Sequence, residues 1–206
     1  MPQDDVLIVG ADIQAPSLLR ANLGGDGLLG LDVLRNNRVT IDFRHDAALT
    51  IAPSTRKPER KAAGTDPGAI VVVGKSRFGE LIVTNADVDG HPVAVILDTG
   101  AEESIGNPAL ARLLLSRTAK MLSPTTLVSV TGHTLPANFA LAGKMRIGDI
   151  SVANLPVAFG DVATFRQFGL VHRPALLLGM RTLRLFAKVT IDFPRRRIEF
   201  LMNPKG

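Results

Sequence analysis

Hydrophobic and polar residues alternate along most of this chain, a pattern that predicts strands. Val39-Thr40-Ile41-Asp42-Phe43 alternates and is rich in β-branched residues, and residues 47–51 return from it after a short turn. Similar patterns predict further strands at residues 5–9, 69–73, 80–86, 93–97, 125–130, 134–142, 144–147, 151–159 and 197–201. The chain is therefore predicted to be all-β.

Turn and helix signals divide these strands. Asp89-Gly90 and Gly148-Asp149 predict hairpin turns, because glycine adopts positive φ at little cost. Asn107-Pro108 predicts the start of a helix over residues 109–116, with Asn as N-cap and Pro in the first helical position. Residues 53–68 contain three prolines and show no hydrophobic period, so they are predicted to be a linker.

The end of the sequence repeats its beginning. The matching segments are 6–9 with 156–159, Leu28-Leu29-Gly30 with Leu177-Leu178-Gly179, Leu34-Arg35 with Leu183-Arg184, and 39–43 with 189–193. The last pair is identical at every position, and chance poorly explains several matches in one order. Residues 69–206 are interpreted as one complete unit, and residues 1–52 as the back half of a similar unit. The front half of that first unit is expected upstream of Met1.

One apolar run ends in a carboxylate. Val95-Ile96-Leu97 leads directly into Asp98, followed by Thr99, Gly100 and Ala101. Removing an ionised Asp from water is costly unless the group is paired or its pKa rises. Asp98 is therefore either held by backbone donors in a turn or retained for chemistry.

Composition excludes several classes of function. The 206 residues include no Cys, Tyr or Trp, so the chain has no thiolate nucleophile and no cysteine zinc site. Its four histidines show no metal-ligand spacing, and neither a metal nor another cofactor is expected. The net charge of +5 is dispersed without aromatic residues that stack on bases, so nucleic-acid binding is not expected. No apolar stretch approaches the roughly 20 residues of a membrane-spanning helix.

Taken together, these motifs resemble the retropepsin-like aspartic proteases. The resemblance rests on Asp98-Thr99-Gly100-Ala101 after an apolar strand, a Gly-bearing hairpin about Gly132, and Leu177-Leu178-Gly179 before a short helix. The tandem repeat is similar to bacterial aspartyl proteases with two related lobes in one chain. The resemblance implies a small closed acid-protease barrel with one or two short helices, preceded by the back half of a second lobe. By analogy it also suggests the periplasm or cell envelope.

The resemblance also implies roles for individual residues. Asp98 would be a catalytic carboxylate, Thr99 would hydrogen-bond across the lobe interface, and Gly100 would keep the backbone close to the carboxylates. Ala101 would leave room for substrate, and Thr131, Gly132 and His133 would form the tip of a flap over it. Family members often pair an Asp and an Arg at the positions that hold Glu102 and Met180 here, so that ion pair is not carried over.

The implied activity is that of an aspartic endopeptidase acting on protein or peptide substrates. Two aspartates would share one proton and activate a water between them. This sequence contains Asp-Thr-Gly once, so the second aspartate is expected from a homodimer partner or from an N-terminal lobe. The alternative is a catalytically inactive protease-like module that dimerises or binds peptides. A turn in which Asp98 only caps backbone amides remains a third interpretation.

Overall fold

A computed structural model describes residues 34–44, 48–54, 66–77, 80–115, 123–128 and 134–203. These residues form mostly strands, which confirms the all-β prediction. The strands are β1 (Asn37–Asp42), β2 (Ala48–Pro53), β3 (Ile70–Val73), β4 (Lys75–Arg77), β5 (Glu80–Val83), β6 (Ala86–Val88), β7 (His91–Pro92), β8 (Ala94–Leu97), β9 (Ile105–Gly106), β10 (Ser123–Val128), β11 (Thr134–Ile147), β12 (Ile150–Phe159), β13 (Ala175–Leu178), β14 (Phe186–Asp192) and β15 (Arg197–Met202). The helices are α1 (Pro108–Leu115), α2 (Ala163–Gln167) and α3 (Met180–Leu183).

Local sequence signals correctly predict several of the turns and one helix start in this fold. Asp89 and Gly90 have φ values of 51° and 81° and join β6 to β7 in the predicted hairpin. Gly148 has a φ of 54° at the turn between β11 and β12. Helix α1 begins at Pro108 directly after Asn107, as predicted. Helix α2 has no counterpart among the predictions, because its five residues are too few to show a helical period.

The larger sheet has ten strands in the order β4-β5-β8-β13-β9-β12-β11-β6-β7, and β10 pairs with β11. Most of its pairs are antiparallel, but β8 and β13 run parallel, with Leu97 opposite Leu178. Strand β9 pairs with the other edge of β13. The strand that leads to Asp98 is therefore held in the interior of the sheet, between β5 and β13.

Two hydrophobic cores lie against this central pair of strands. Val95 of β8 and Leu176 of β13 belong to the first core, whereas their neighbours Ile96 and Leu177 belong to the second. Strands buried on both faces read as continuous apolar runs. This double burial explains why residues 93–97 and 175–178 include no polar residue.

The smaller sheet joins the two copies of the repeat in the order β2-β1-β14-β15-β3. Strand β1 pairs antiparallel with β14 so that Thr40 lies opposite Thr190, and their Oγ1 atoms are 3.1 Å apart. Both β1 and β14 also form hairpins, with β2 and β15 respectively. The described part of the predicted first unit thus shares a sheet with the end of the complete unit.

The domain division remains a prediction. Residues 55–65, most of the predicted linker 53–68, lie outside the described part of the chain, as do the predicted strand 5–9 and the Leu28-Leu29-Gly30 segment. The division into 1–52, 53–68 and 69–206 therefore rests on the sequence repeat. None of the helices in the described residues is long and apolar enough to cross a membrane.

Candidate active site

Asp98 directly follows Leu97, the last residue of the buried strand β8. The Asp98 backbone N–H donates to the Leu178 carbonyl at 3.1 Å, which continues the parallel pairing of β8 with β13 by one residue. The chain then turns, and the Ala101 N–H donates to the Asp98 carbonyl at 3.3 Å. The Gly100 N–H donates to Asp98 Oδ1 at 3.0 Å, so the turn itself orients the carboxyl group.

Burial and backbone donors act on this carboxyl group in opposite directions. Burial raises the pKa of Asp98, while the backbone N–H groups of Gly100 and Ala101 lower it, and burial is the larger effect. The side chain still retains partial access to solvent. A carboxyl group with a raised pKa that can reach water is suited to exchange protons with it.

The segment after β13 packs tightly against the turn. A Cβ atom at Gly179 would lie 2.6 Å from the carbonyl carbon of Glu103, so only glycine fits at this contact. The Met180 N–H donates to the Ala101 carbonyl at 2.8 Å, and the Arg181 N–H donates to the Glu102 carbonyl at 2.9 Å. The first N–H groups of α3, which have no partner inside the helix, are thus satisfied by the Asp98 turn.

A buried pair of hydroxyl groups lies at the same junction. Ser104 and Thr182 are 1% and 2% exposed, and their hydroxyl oxygens are 2.8 Å apart. Ser104 Oγ also accepts a hydrogen bond from the Gly179 N–H at 3.1 Å. One serine therefore connects the chain that follows the Asp98 turn to both Gly179 and α3.

Two ion pairs join the turn to α3 and the residue after it. Arg181 contacts Glu103 at 2.7 Å, and Arg184 contacts Glu102 at 2.6 Å. The ion pair that family members often form at positions 102 and 180 was not carried over, and position 180 is Met here. The two glutamates pair instead with arginines further along the second segment. All four side chains except that of Glu103 are more than half exposed, so each pair adds little stability.

Asn107 fixes the far end of the loop that follows the turn. Its Oδ1 accepts from the Leu110 N–H at 2.8 Å, which is the predicted N-cap bond, and also from the Ala175 N–H at 3.2 Å. Its Nδ2 donates to the Leu170 and Arg173 carbonyls, both at 2.7 Å. One fully buried amide thus holds both the start of α1 and the start of β13.

The structure places only some of the predicted site residues. Thr99 and Gly100 are exposed and Ala101 is half-buried, all within the Asp98 turn. Thr131, Gly132 and His133 lie outside the described residues, although β10 and β11 on either side of them pair as a hairpin. The roles given to these residues remain predictions.

Sequence patterns did not identify Ser104, Thr182 or the two arginines as partners of the Asp98 turn. The segments that meet here are about eighty residues apart in the chain, and no local spacing rule connects them. The sequence offered one signal for this contact, which is complementary charge. Glu102 and Glu103 lie in one segment, and Arg181 and Arg184 lie in the other. Within the described residues, no group of three or more His, Asp or Glu side chains could hold a metal ion.

The site is thus a carboxyl group on a glycine turn, directly after a doubly buried strand and packed against the Gly179 segment that follows the parallel strand β13. Residues 83–182 match the family model described as aspartyl protease, and this segment contains both the Asp98 turn and Gly179. This part of the chain is thus similar to aspartyl proteases, in agreement with the resemblance of the sequence motifs. The match supports a general aspartic protease role.

Comparison with solved structures gives a more distant similarity. A retropepsin-like aspartic protease from Rickettsia conorii is 23% identical, with a TM-score of 0.47 over 65% of this chain and 89% of the other. The comparison with curated proteins finds no significant match.

Proposed function

We propose that this chain supplies one half of the catalytic centre of an aspartic endopeptidase. Asp98 is the aspartate contributed by this chain, and a second aspartate comes from a homodimer partner or from an N-terminal lobe. The substrate is an extended segment of a protein or peptide. The observation that carries the proposal is the Asp98 carboxyl, which the Gly100 N–H orients while burial raises its pKa.

The proposed reaction needs one proton shared between the two aspartates. Like charges about 3 Å apart do not both ionise readily, so the pair holds one proton and titrates as a unit. The ionised carboxylate takes a proton from water while the water oxygen bonds to the scissile carbonyl carbon. The protonated carboxyl gives its proton to the carbonyl oxygen. The carboxyl that took the water proton then gives it to the amide nitrogen as the C–N bond breaks. The other carboxylate takes back one hydroxyl proton of the intermediate, which leaves a carboxylic acid and an amine.

The surroundings of Asp98 support this assignment over a turn that is only structural. A carboxylate that merely capped backbone amides would be stabilised in its charged form and its pKa would fall. Here burial outweighs the donors and raises the pKa. Thr99 and Gly100 are both exposed beside it, which leaves the turn accessible to a second lobe or subunit.

The rival function is an inactive module that dimerises or binds peptides. It is favoured by a single observation, that the sequence contains one Asp-Thr-Gly and no Asp-Ser-Gly. A strict monomer with one aspartate does not hydrolyse peptides by the shared-proton route. The two functions are therefore distinguished by whether the protein cleaves peptides in a way that depends on Asp98.

The test is cleavage of a peptide library at acidic pH over a range of protein concentrations, with the mass in solution measured in parallel. Asp98→Asn should lower cleavage by at least about 10²–10⁴-fold, because the amide neither takes nor gives the proton. Asp149→Asn, on an exposed turn away from the site, is the matched control. Cleavage that survives in Asp98→Asn would overturn the proposal. Peptide binding without cleavage at any concentration would favour the inactive module.

A further inference from the structure

One peptide group lies between Asp98 and the side chain of Ser104. The Asp98 N–H donates to the Leu178 carbonyl at 3.1 Å, and the Gly179 N–H donates to Ser104 Oγ at 3.1 Å. The Leu178 carbonyl and the Gly179 N–H belong to the same peptide group, which is planar. Asp98 and Ser104 therefore bind opposite sides of one rigid group, so that the hydroxyl group helps to set the direction of the carbonyl that receives Asp98.

Ser104 is itself fixed in the barrel. Its backbone carbonyl accepts a hydrogen bond from the Ala158 N–H of β12 at 2.9 Å, and the residue is 1% exposed. Gly179 is buried as well, with its backbone against that of Glu103. Because both partners are buried, bulk water does not readily replace the hydrogen bond between them.

The turn is held at its first and last residues by different contacts. The Leu178 carbonyl binds the Asp98 N–H, and the Met180 N–H donates to the Ala101 carbonyl at 2.8 Å. Hydrogen bonds in series polarise one another, so the bond to Ser104 strengthens the Leu178 carbonyl as an acceptor. The contact that Ser104 supports is therefore the one at the residue that carries the carboxyl group.

We propose that Ser104 is a positioning residue for Asp98. Its hydroxyl group fixes the Leu178–Gly179 peptide, and this peptide fixes the backbone of Asp98 and the direction of its carboxyl group. The hydrogen bond of 3.0 Å from the Gly100 N–H to Asp98 Oδ1 depends on the same backbone position. The consequence for catalysis rests on the proposed function, whereas the positioning of the carboxyl group does not.

The pKa of Asp98 reports on this positioning. Burial raises the pKa and is the larger effect, while the N–H groups of Gly100 and Ala101 lower it. A carboxyl group that moves toward water loses burial, so its pKa should fall toward the ordinary value of 3.8. A variant that only makes the whole fold less stable leaves the pKa of the folded state unchanged.

The charged side chains beside the turn pair with one another. Glu103 contacts Arg181 at 2.7 Å, and Glu102 contacts Arg184 at 2.6 Å. The pKa shift of Asp98 arises from burial and from backbone donors. A change in this pKa after removal of the Ser104 hydroxyl therefore indicates movement of the carboxyl group.

The experiment measures the pKa of Asp98 in the 206-residue chain and in three variants. The ¹³C shift of the side-chain carboxyl is followed from about pH 3 to about pH 8, and Asp98→Asn assigns the signal. Ser104→Ala removes the acceptor of the Gly179 N–H. Thr182→Val removes the neighbouring hydroxyl group and leaves that acceptor in place. Thr190→Val removes a buried hydroxyl group from the smaller sheet and is the remote control.

Ser104→Ala should lower the pKa of Asp98 by about half a unit or more. Thr182→Val should lower it less than half as much, and Thr190→Val should leave it unchanged. If Ser104→Ala does not fold, Ser104→Cys gives the same comparison with a smaller shift, because a thiol is a weaker acceptor. An unchanged pKa in the Ser104 variant, or an equal fall in all three variants, would overturn the inference and leave Ser104 as a support of the fold.

Peptide cleavage by the same proteins separates this inference from the proposed function. Where cleavage depends on Asp98, Ser104→Ala should lower kcat at least about tenfold and change KM by less than about twofold. A lowered pKa in Ser104→Ala, without cleavage by the wild type, would overturn the proposed function and leave the positioning role intact. Cleavage that depends on Asp98, with kcat and the pKa unchanged in Ser104→Ala, would sustain the proposed function and overturn the inference.

Discussion

The hydroxyl groups of Ser104 and Thr182 form a hydrogen bond of 2.8 Å, and both residues are buried. The bond joins the segment that follows Asp98 to helix α3. Ser104 Oγ has a second partner in the Gly179 N–H, whereas within the described residues the Thr182 hydroxyl bonds to Ser104 alone. The two hydroxyl groups are therefore unequal in what each one satisfies. Their removal should have unequal effects on stability.

Ser104→Ala should destabilise the protein by about 1–3 kcal/mol, because it leaves the Gly179 N–H and the Thr182 hydroxyl buried without their partner. Thr182→Val should cost less, since Ser104 Oγ still accepts from Gly179. Urea denaturation of both variants measures the difference. Equal losses, or a larger loss for Thr182→Val, would contradict the view that Ser104 is the centre of this network.

Gly179→Ala should destabilise the fold by about 1–3 kcal/mol or more, because the added methyl group meets the backbone of Glu103 and not a flexible side chain. The matched control is Gly160→Ala, where the nearest atoms are methyl groups of Leu127 and Leu135 at 3.3 and 3.4 Å. Thermal unfolding of the two variants compares the losses. If Gly160→Ala were the more damaging change, the close contact at Gly179 would not be a determinant of this fold.

Asp98→Asn should stabilise the protein at neutral pH but not at pH 3. Because burial raises the pKa of Asp98 above its ordinary value of 3.8, the folded state binds this proton more tightly than the unfolded chain. The contribution of Asp98 to stability is thus fully present below pH 3.8 and is lost as pH rises through the raised pKa. An amide stays neutral and undergoes no such loss.

The measurement is the difference in thermal midpoint between the variant and the wild type at pH 3 and pH 7. Asp149→Asn controls for a change from carboxylate to amide at an exposed site. A variant that is less stable than the wild type at pH 7, or a difference that does not change with pH, would show that burial does not dominate at Asp98.

Much of the fold could be predicted because its causes are local. Alternation over 39–43 gave β1 and, through the repeat, β14, while Asp89-Gly90 gave a hairpin. The chain from Asn107 to Pro108 gave the start of α1. In each case the signal and the structure it specifies lie within a few residues, so a spacing rule is sufficient.

The central strands were harder to place than to recognise. The apolar run before Asp98 was identified as a buried strand, but not its parallel neighbour, because β8 and β13 are about eighty residues apart. The predicted hairpin about Asp89-Gly90 forms, but as two successive segments, since β6 pairs with β7 and β5 pairs with β8. Pairing between distant strands depends on the packing of both faces, which a single strand's sequence does not contain.

The sequence by itself determined the class of this protein. It specified the β-rich architecture, the repeat, and a carboxylate on a glycine turn after an apolar strand, because each of these is written in adjacent residues or in a visible duplication. Only the tertiary structure decided what surrounds that carboxylate. The pairing of Ser104 with Thr182 and the ion pairs of Glu102 and Glu103 with Arg184 and Arg181 arise where distant segments meet. Their free energies depend on burial that no local pattern records.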